Sequence, residues 1–435
     1  MSFESGKKRY FKNLIFAYLP YFAQIVSTIV LTPLYVKFFG QEKYAIFVIL
    51  HTVIGYFMLS NIGLPQAFSR QIIHLKEQNE HHKIGKILSS ILFYYSIVII
   101  VVLSINSFVF YGNLFDISNK ILNSSNIQYI QIFGLGMVLV SLKFAISLIT
   151  DVFQSLIDAT NRLDISNTIR FMQITLLGIF SFVALESYGT IEAVLISNIL
   201  SALFIFFVMF FVARKFLDSE ISFFDAKFKY FKMVLPSGFW YFMGGISVAI
   251  ITQIDTLVIS FVVGLQMVAI YSLMFKFSEV FRNLISTAVN VLFSQVAYNH
   301  SKNEMDKIRQ NYKKFSLIIL FLSIFVGVFL YFIGYDIFVL WIGRQNAGSL
   351  DLFVWFIIYL VLFSINQVSA LFVNALNKHK AIVLMSFVQA GLNFGLSIWL
   401  LSVTGDIKWV IISTILSLLA TNFWFNIYYF KKISK

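Results

Sequence analysis

Lys276, Glu279 and Arg282 interrupt one apolar stretch, "YSLMFKFSEVFRN", in a chain of which only 12% is charged. On a helix they fall within an arc of about 120° and face one side. The chemistry open to that face is anion binding. Arginine donates in pairs from a planar fork that matches phosphate, and lysine adds a compact charge. The competing reading is internal, with Lys276 and Glu279 neutralising each other as an i,i+3 pair. Two further charges sit in apolar surroundings. Asp255, in "TQIDTLVIS", either pairs with Lys276 or acts as a cation-coupling carboxylate. Lys143 either joins Lys276 and Arg282 as an anion ligand or snorkels to the interface from the inner end of its stretch.

A second polar feature is written twice. "DATNRLDISNTIRFMQ" (158–173) and "NALNKHKAIVLMSFVQ" (374–389) align at an offset of 216 residues. Asp158, Asn161 and Arg162 in the first copy, with Asn377 and Lys378 in the second, are candidates for a turn or gate. Asn374 replaces Asp158, so carboxylate chemistry is not what was duplicated. No zinc-ligand spacing, P-loop, G-x-G-x-x-G or nucleophile elbow occurs, and there is no cysteine. Catalytic residues, metal sites and cofactors therefore have no motif here. His51, alone in an apolar run, reads as structural, and His74, His81 and His82 fall in a polar loop.

These residues need elements to hold them. The chain is 59% hydrophobic and 18% aromatic, against about 45–50% apolar in soluble domains, so a bilayer is its natural solvent. Apolar runs long enough to cross about 30 Å of hydrocarbon lie near 14–36, 44–64, 87–111, 128–150, 168–187 and 191–213. Six more lie near 234–260, 266–294, 315–335, 351–373, 381–403 and 408–430. They do not alternate as barrel strands would. The division between 234–260 and 266–294 is the weakest, with only "GLQ" between them. Lys7, Lys8, Arg9 and Lys12 before the first run resemble a signal peptide, but that run exceeds a usual signal core of about 7–15 residues. It reads as a retained span.

Twelve spans put both termini on one side. That side carries 25 Lys and Arg, the other 5, and three lie within spans. The excess places both termini in the cytoplasm. It also accounts for the net charge of +13 without nucleic acid as a partner.

The 216 offset extends beyond the polar phrase. Leu19-Pro20 matches Leu235-Pro236, and "YGTIEAVLISNIL" (188–200) matches "TGDIKWVIISTIL" (404–416). In between it drifts to 224–225, pairing Gly40 with Gly264 and Phe68-Ser69 with Phe293-Ser294. The expectation is an all-α integral membrane protein of two six-helix halves, 1–213 and 233–435, joined by a cytoplasmic linker at 214–232. Six spans is an even number, so the repeat is parallel, and a midplane site served by alternating access follows.

The turn "DATNRLDISNTIRF", the stretch "QIDTLVISFVVGLQMVAIYSLMFKFSEV" and "ALNKHK" together resemble the polysaccharide flippases of the Wzx type. These belong to the superfamily that also holds the multidrug and toxic compound extruders (MATE), and the resemblance covers essentially the whole chain. It implies a V-shaped, MATE-like bundle in a bacterial inner membrane. It implies movement of undecaprenyl-pyrophosphate-linked oligosaccharide repeats from the cytoplasmic to the periplasmic leaflet, for O-antigen or capsule assembly, with Gln173, Gln389, Asn366 and Gln367 as candidate sugar contacts. It further implies H⁺ or Na⁺ gradient coupling, contact with membrane lipids, and a polysaccharide polymerase and chain-length regulator as partners. Two alternatives stand beside it. A drug extruder of the same fold would bind lipophilic cations, which positive residues disfavour. A membrane polymerase or ligase would need a large outer loop, whereas the longest here, near 112–127 and 336–350, are about 15 residues.

Overall fold

The computed structural model describes residues 3–61, 63–111, 120–160, 162–217, 226–376 and 378–434. Among these, all regular structure is helical. The helices are α1 (Phe3–Phe57), α2 (Leu64–Glu77), α3 (His82–Tyr111), α4 (Ile127–Asp158), α5 (Leu163–Tyr188), α6 (Ile191–Arg214) and α7 (Phe228–Val262). They continue with α8 (Leu265–Ser301), α9 (Met305–Phe329), α10 (Tyr335–Ile342), α11 (Leu350–Ala375), α12 (His379–Thr404), α13 (Lys408–Ala420) and α14 (Asn422–Ile433). In hydrocarbon each backbone N–H and C=O must be satisfied within its own segment, which only long helices and closed barrels achieve.

Ten helical stretches among the described residues are long and apolar enough to cross a membrane. The first, Tyr18–Glu77, contains two of the expected spans, because α1 breaks inside it at Gly40 (φ 73°, ψ 173°). The remaining span is α8, whose three charges set it apart from the ten. The twelve expected spans are thus α1 before and after Gly40, α3, α4, α5, α6, α7, α8, α9 with α10, α11, α12, and α13 with α14. The weakest division holds: Gly264 (φ 120°) separates α7 from α8. One loop differs from expectation. Most of 336–350 is helical, because a π-helical turn at Leu330–Gly334 carries α9 onward into α10. The last span also breaks, at Thr421 (φ −129°, ψ −99°).

The chain divides into two compact units, Met1–Gly245 and Ile246–Lys435, and the division falls within α7. In the first unit α4 packs against α1, α2, α3 and α6. Its buried face (Phe144, Leu148, Val152, Leu156) meets Phe68 of α2, Leu88 and Tyr95 of α3, and Met209 of α6. In the second unit α11 holds the same place, packed against α8, α9, α13 and α14, with Val368 and Phe372 in one core with Val289, Ile308 and Phe430. Both are the fourth span of their half. Outward faces are apolar: Phe204, Phe207 and Phe211 on α6, Phe321 and Phe325 on α9, and Phe332 in the π-helical turn after it, are exposed. In water so much exposed apolar surface would drive association; in lipid it is the solvated face.

The repeat seen in sequence marks the backbone. Gly189 (φ 62°) and Gly405 (φ 67°) both end helices in the left-handed conformation. Their N–H groups bond Leu185 O at 2.9 Å and Leu401 O at 2.8 Å. A side chain there costs about 1–2 kcal/mol of backbone strain, and a Cβ on Gly405 meets no other atom, so strain alone is tested. Gly405→Ala should lower stability by about 1 kcal/mol and Gly405→Asn by less, measured by thermal unfolding in detergent. Equal midpoints for wild type and Gly405→Ala would contradict this.

Candidate functional site

The second unit holds a buried carboxylate. Asp255, on α7, is 3% exposed. Its Oδ2 accepts from Tyr271 Oη of α8 at 2.5 Å and lies 3.3 Å from Thr414 Oγ1 of α13. Thr414 has one proton, yet Asn393 Oδ1 (3.1 Å) and Val410 O (3.2 Å) stand as near to it as Asp255 does. It can serve one of the three. Asp255 Oδ1 and Asn393 Nδ2 have no hydrogen-bond partner among the described residues. Oxygens from α7, α12 and α13 thus converge on one carboxylate, with the Asn393 amide also in reach of it and Ser397 Oγ donating to Asn393 Oδ1 at 3.4 Å. That is the donor set for a proton or a singly charged hard cation. Among the described residues no group of three His, Cys, Asp or Glu is placed to hold a metal ion. The expected partnership of Asp255 with Lys276 is not made, because Tyr271 and Thr414 supply the carboxylate's contacts instead.

One turn along α8 the charges sort differently from the sequence expectation. Glu279 Oε1 accepts from Arg282 at 3.2 Å rather than pairing with Lys276. Arg282 is itself 9% exposed. Its guanidinium lies 5.2 Å from the Phe275 ring and 5.0 Å from the Phe363 ring, with Tyr359 Oη at 3.5 Å. A cation between two aromatic faces with a carboxylate at its edge is held by cation–π attraction as well as charge. Lys276 is half-buried and makes no ion pair or hydrogen bond among the described residues.

In the first unit Lys143 is also half-buried and makes no such bond. Lys143 lies at the middle of α4 (Ile127–Asp158), about 24 Å from either end of the helix. From it a polar stripe runs down one face of α4, through Ser147, Thr150, Asp151 and Gln154 to Asp158, within an arc of about 100°. At the far end Asp151, Gln154 and Asp158 line a cavity of about 390 Å³ with Gln66 and Arg70 of α2 and Arg170 of α5. Asp158, read from sequence as part of a turn, is therefore a cavity wall.

The other candidates are placed as follows. Arg162 stands at the N-cap of α5 and bonds Asp164 at 3.1 Å, and Lys378 stands at the N-cap of α12. Asn161 and Asn377 lie outside the described residues, as does part of the 214–232 linker. Gln389 accepts from Asn422 at 2.6 Å, Asn366 from Asn426 at 3.0 Å and Gln367 from Ser286 at 2.7 Å. These three sew α12 to α14, α11 to α14 and α8 to α11, so part of their hydrogen-bonding capacity is spent inside the unit. Gln173 on α5 is half-buried. His51 Nδ1 lies 2.9 Å from Phe47 O, one turn back on its own helix. Sequence reasoning did not single out Asp151, Gln154, Asn393 or Thr414. The i, i+4, i+7, i+8 spacing of polar residues on α4 was the available signal for the first two. Asn393 and Thr414 had none, since their partners are distant in sequence.

Residues 11–298 match the family model described as "Polysaccharide biosynthesis protein". No curated protein sequence matches the chain. Among solved structures, the fold is similar to lipid II flippase MurJ in an inward closed conformation, with TM-score 0.77 and 17% identity, covering 96% of this chain and 87% of that one. It is similar to an inward-facing multidrug resistance MATE family transporter of the MOP superfamily, with TM-score 0.74 and 13% identity, covering 96% of each chain. It is also similar to a MOP superfamily transporter from Pyrococcus furiosus, with TM-score 0.68 and 11% identity, covering 98% and 96%. At these identities the likeness is one of fold.

The surroundings of Arg282 and Lys276 predict opposite effects on stability. Arg282→Ala removes a cation from two rings and strands Glu279, and should cost about 2–4 kcal/mol. Lys276→Ala removes a half-buried charge that has no ion pair within 4 Å among the described residues and feels Glu279 only at longer range, and should leave thermal unfolding in detergent unchanged or raise its midpoint. A marked loss of stability in Lys276→Ala would show that this lysine has a structural counter-charge after all.

Proposed function

Since the chain belongs to the polysaccharide biosynthesis protein family, we propose that it is a flippase for undecaprenyl-pyrophosphate-linked oligosaccharides. It moves them from the cytoplasmic to the periplasmic leaflet by alternating access, as a multi-pass protein of the bacterial inner membrane with both termini inside. The observation that carries this is the state of the two half-buried lysines on its apolar helices, Lys276 and Lys143. A charge within the bilayer costs about 2.5–3.5 kcal/mol on insertion scales and is normally paired. Lys276 and Lys143 have no carboxylate bound to them, and an anionic cargo supplies the missing counter-charge. Arg282, held by Glu279 and its aromatic neighbours, presents guanidinium donors in a fixed place within the second unit. Phosphate cannot cross hydrocarbon unaided, and unpaired cations on these helices lower that barrier.

Asp255 is the proposed coupling site. A carboxylate with one oxygen unbonded and its threonine neighbour shared among three acceptors binds a proton or Na⁺ and releases it when its surroundings change. Tyr271 and Thr414 position it, and Asn393 Oδ1 and Val410 O add neutral oxygens. A proton or Na⁺ gradient so coupled would drive the cycle in one direction. The extruder alternative requires a site for lipophilic cations, which uncompensated lysines oppose.

Deleting the gene should leave lipid-linked repeat units trapped in the cytoplasmic leaflet and the cell without the corresponding surface polysaccharide. Normal export in that strain would defeat the flippase reading. Lys276→Ala should reproduce the loss with normal amounts of folded protein in the membrane. Asp255→Asn, which keeps shape and removes the charge, should fold normally yet abolish the dependence of transport on an imposed gradient in proteoliposomes. Retained gradient dependence in Asp255→Asn would remove this residue from coupling.

A further inference from the structure

We propose that the cavity at the foot of α4 is a carbohydrate subsite, taking neutral sugar residues of the cargo rather than its phosphates. The proposal rests on the flippase reading for the identity of the cargo. The cavity lies wholly within the first unit. Gln66 and Arg70 come from α2, Asp151, Gln154 and Asp158 from α4, and Arg170 from α5. Its volume of about 390 Å³ falls within the range of roughly 300–1,000 Å³ in which small molecules bind.

Charge decides the class of ligand. The wall sets two carboxylates beside its two guanidiniums, and a carboxylate on the wall repels a pyrophosphate brought up to it. A sugar presents adjacent hydroxyls, each a donor and an acceptor, and this wall offers both functions side by side. Carboxylates accept, guanidiniums donate, and the amides of Gln66 and Gln154 do either. The carboxylates also retain capacity. Neither Asp151 nor Asp158 is in an ion pair within 4 Å among the described residues, although Arg170 acts on both at longer range. Gln154 is buried and anchored by a 3.2 Å bond from its Nε2 to Ser166 Oγ, so its carbonyl oxygen is presented in a fixed place. Ser166 in turn lies within reach of Asp158. Asp151, Asp158 and Arg170 are half-buried or exposed, so the cavity is open to a ligand. From the cavity the polar stripe continues along one face of α4 as far as Lys143.

The absence of cysteine makes the test direct. Ser69 of α2 lines the cavity, and Ser69→Cys would be the sole thiol of the full chain. Its alkylation by a water-soluble maleimide is timed in lipid nanodiscs. The probes are the lipid extract of cells lacking the chain, the free oligosaccharide released from that extract by mild acid, and inorganic pyrophosphate. The free oligosaccharide should slow alkylation several-fold and pyrophosphate should not. Adding Asp151→Asn and Asp158→Asn should abolish the protection. No slowing by free oligosaccharide, or slowing by pyrophosphate alone, would overturn the subsite. Wild-type translocation in proteoliposomes is read separately. Transport with no protection removes the subsite and leaves the flippase reading standing, whereas protection by free oligosaccharide without transport upholds the subsite and removes that reading.

Discussion

Hydrocarbon does not solvate charge or backbone, so each polar group in this chain must find its partner inside the protein or in what the protein carries. The helices answer this for the backbone. Side chains answer it in three ways. Arg282 is fully provided for, by Glu279, Tyr359 and two phenylalanine faces. Asp255 is half provided for, by Tyr271 and Thr414, which both address one of its two oxygens. Lys276 and Lys143 are left without an ion pair. The gradation from satisfied to unsatisfied follows the proposed roles: a fixed donor, a reversible ion site, and ligands waiting for an anion.

The two units share a scaffold but not a chemistry. Left-handed glycines end the fifth span of each half at matching positions, and Gly40 and Gly264 break the chain between the first two spans of each. The fourth span is central in both. Even a polar link recurs: Ser181 bonds Asn198 at 3.0 Å in the first unit, where the second has Ser397, Asn393 and Thr414. The functional residues do not recur. Nine residues before Gly264 stands Asp255, and nine before Gly40 stands buried Leu31. Asp151 and Asp158 fall opposite Gln367 and Asn374. A duplicated bundle whose halves diverged at their polar positions can divide labour, with an ion site in one unit and a polar cavity in the other.

The polar phrase that is written twice shows how far local pattern reaches. Its placement between the fourth and fifth spans of each half followed from counting apolar runs, and Arg162 and Lys378 do stand at matching helix N-caps. Asp158 ends α4 at the edge of that turn, and it also lines a cavity whose other walls come from α2 and α5, which the local pattern did not show. Likewise the i,i+3 spacing offered Glu279 two cations, Lys276 and Arg282, and only the positions of Phe275, Phe363 and Tyr359 decide for Arg282.

What the sequence determined by itself was everything that depends on local spacing: span number, the parallel repeat, the asymmetry of basic loops, and which helices carry ionisable residues. These follow from hydrophobicity and helical period, which act along the chain. What only the tertiary structure decided was partnership. Asp255 meets a threonine 159 residues away, and Asn366 and Gln389 are bound by asparagines of the last helix. Whether a buried polar group is satisfied depends on side chains brought from distant helices, and no periodicity in the chain encodes which helix will stand beside which.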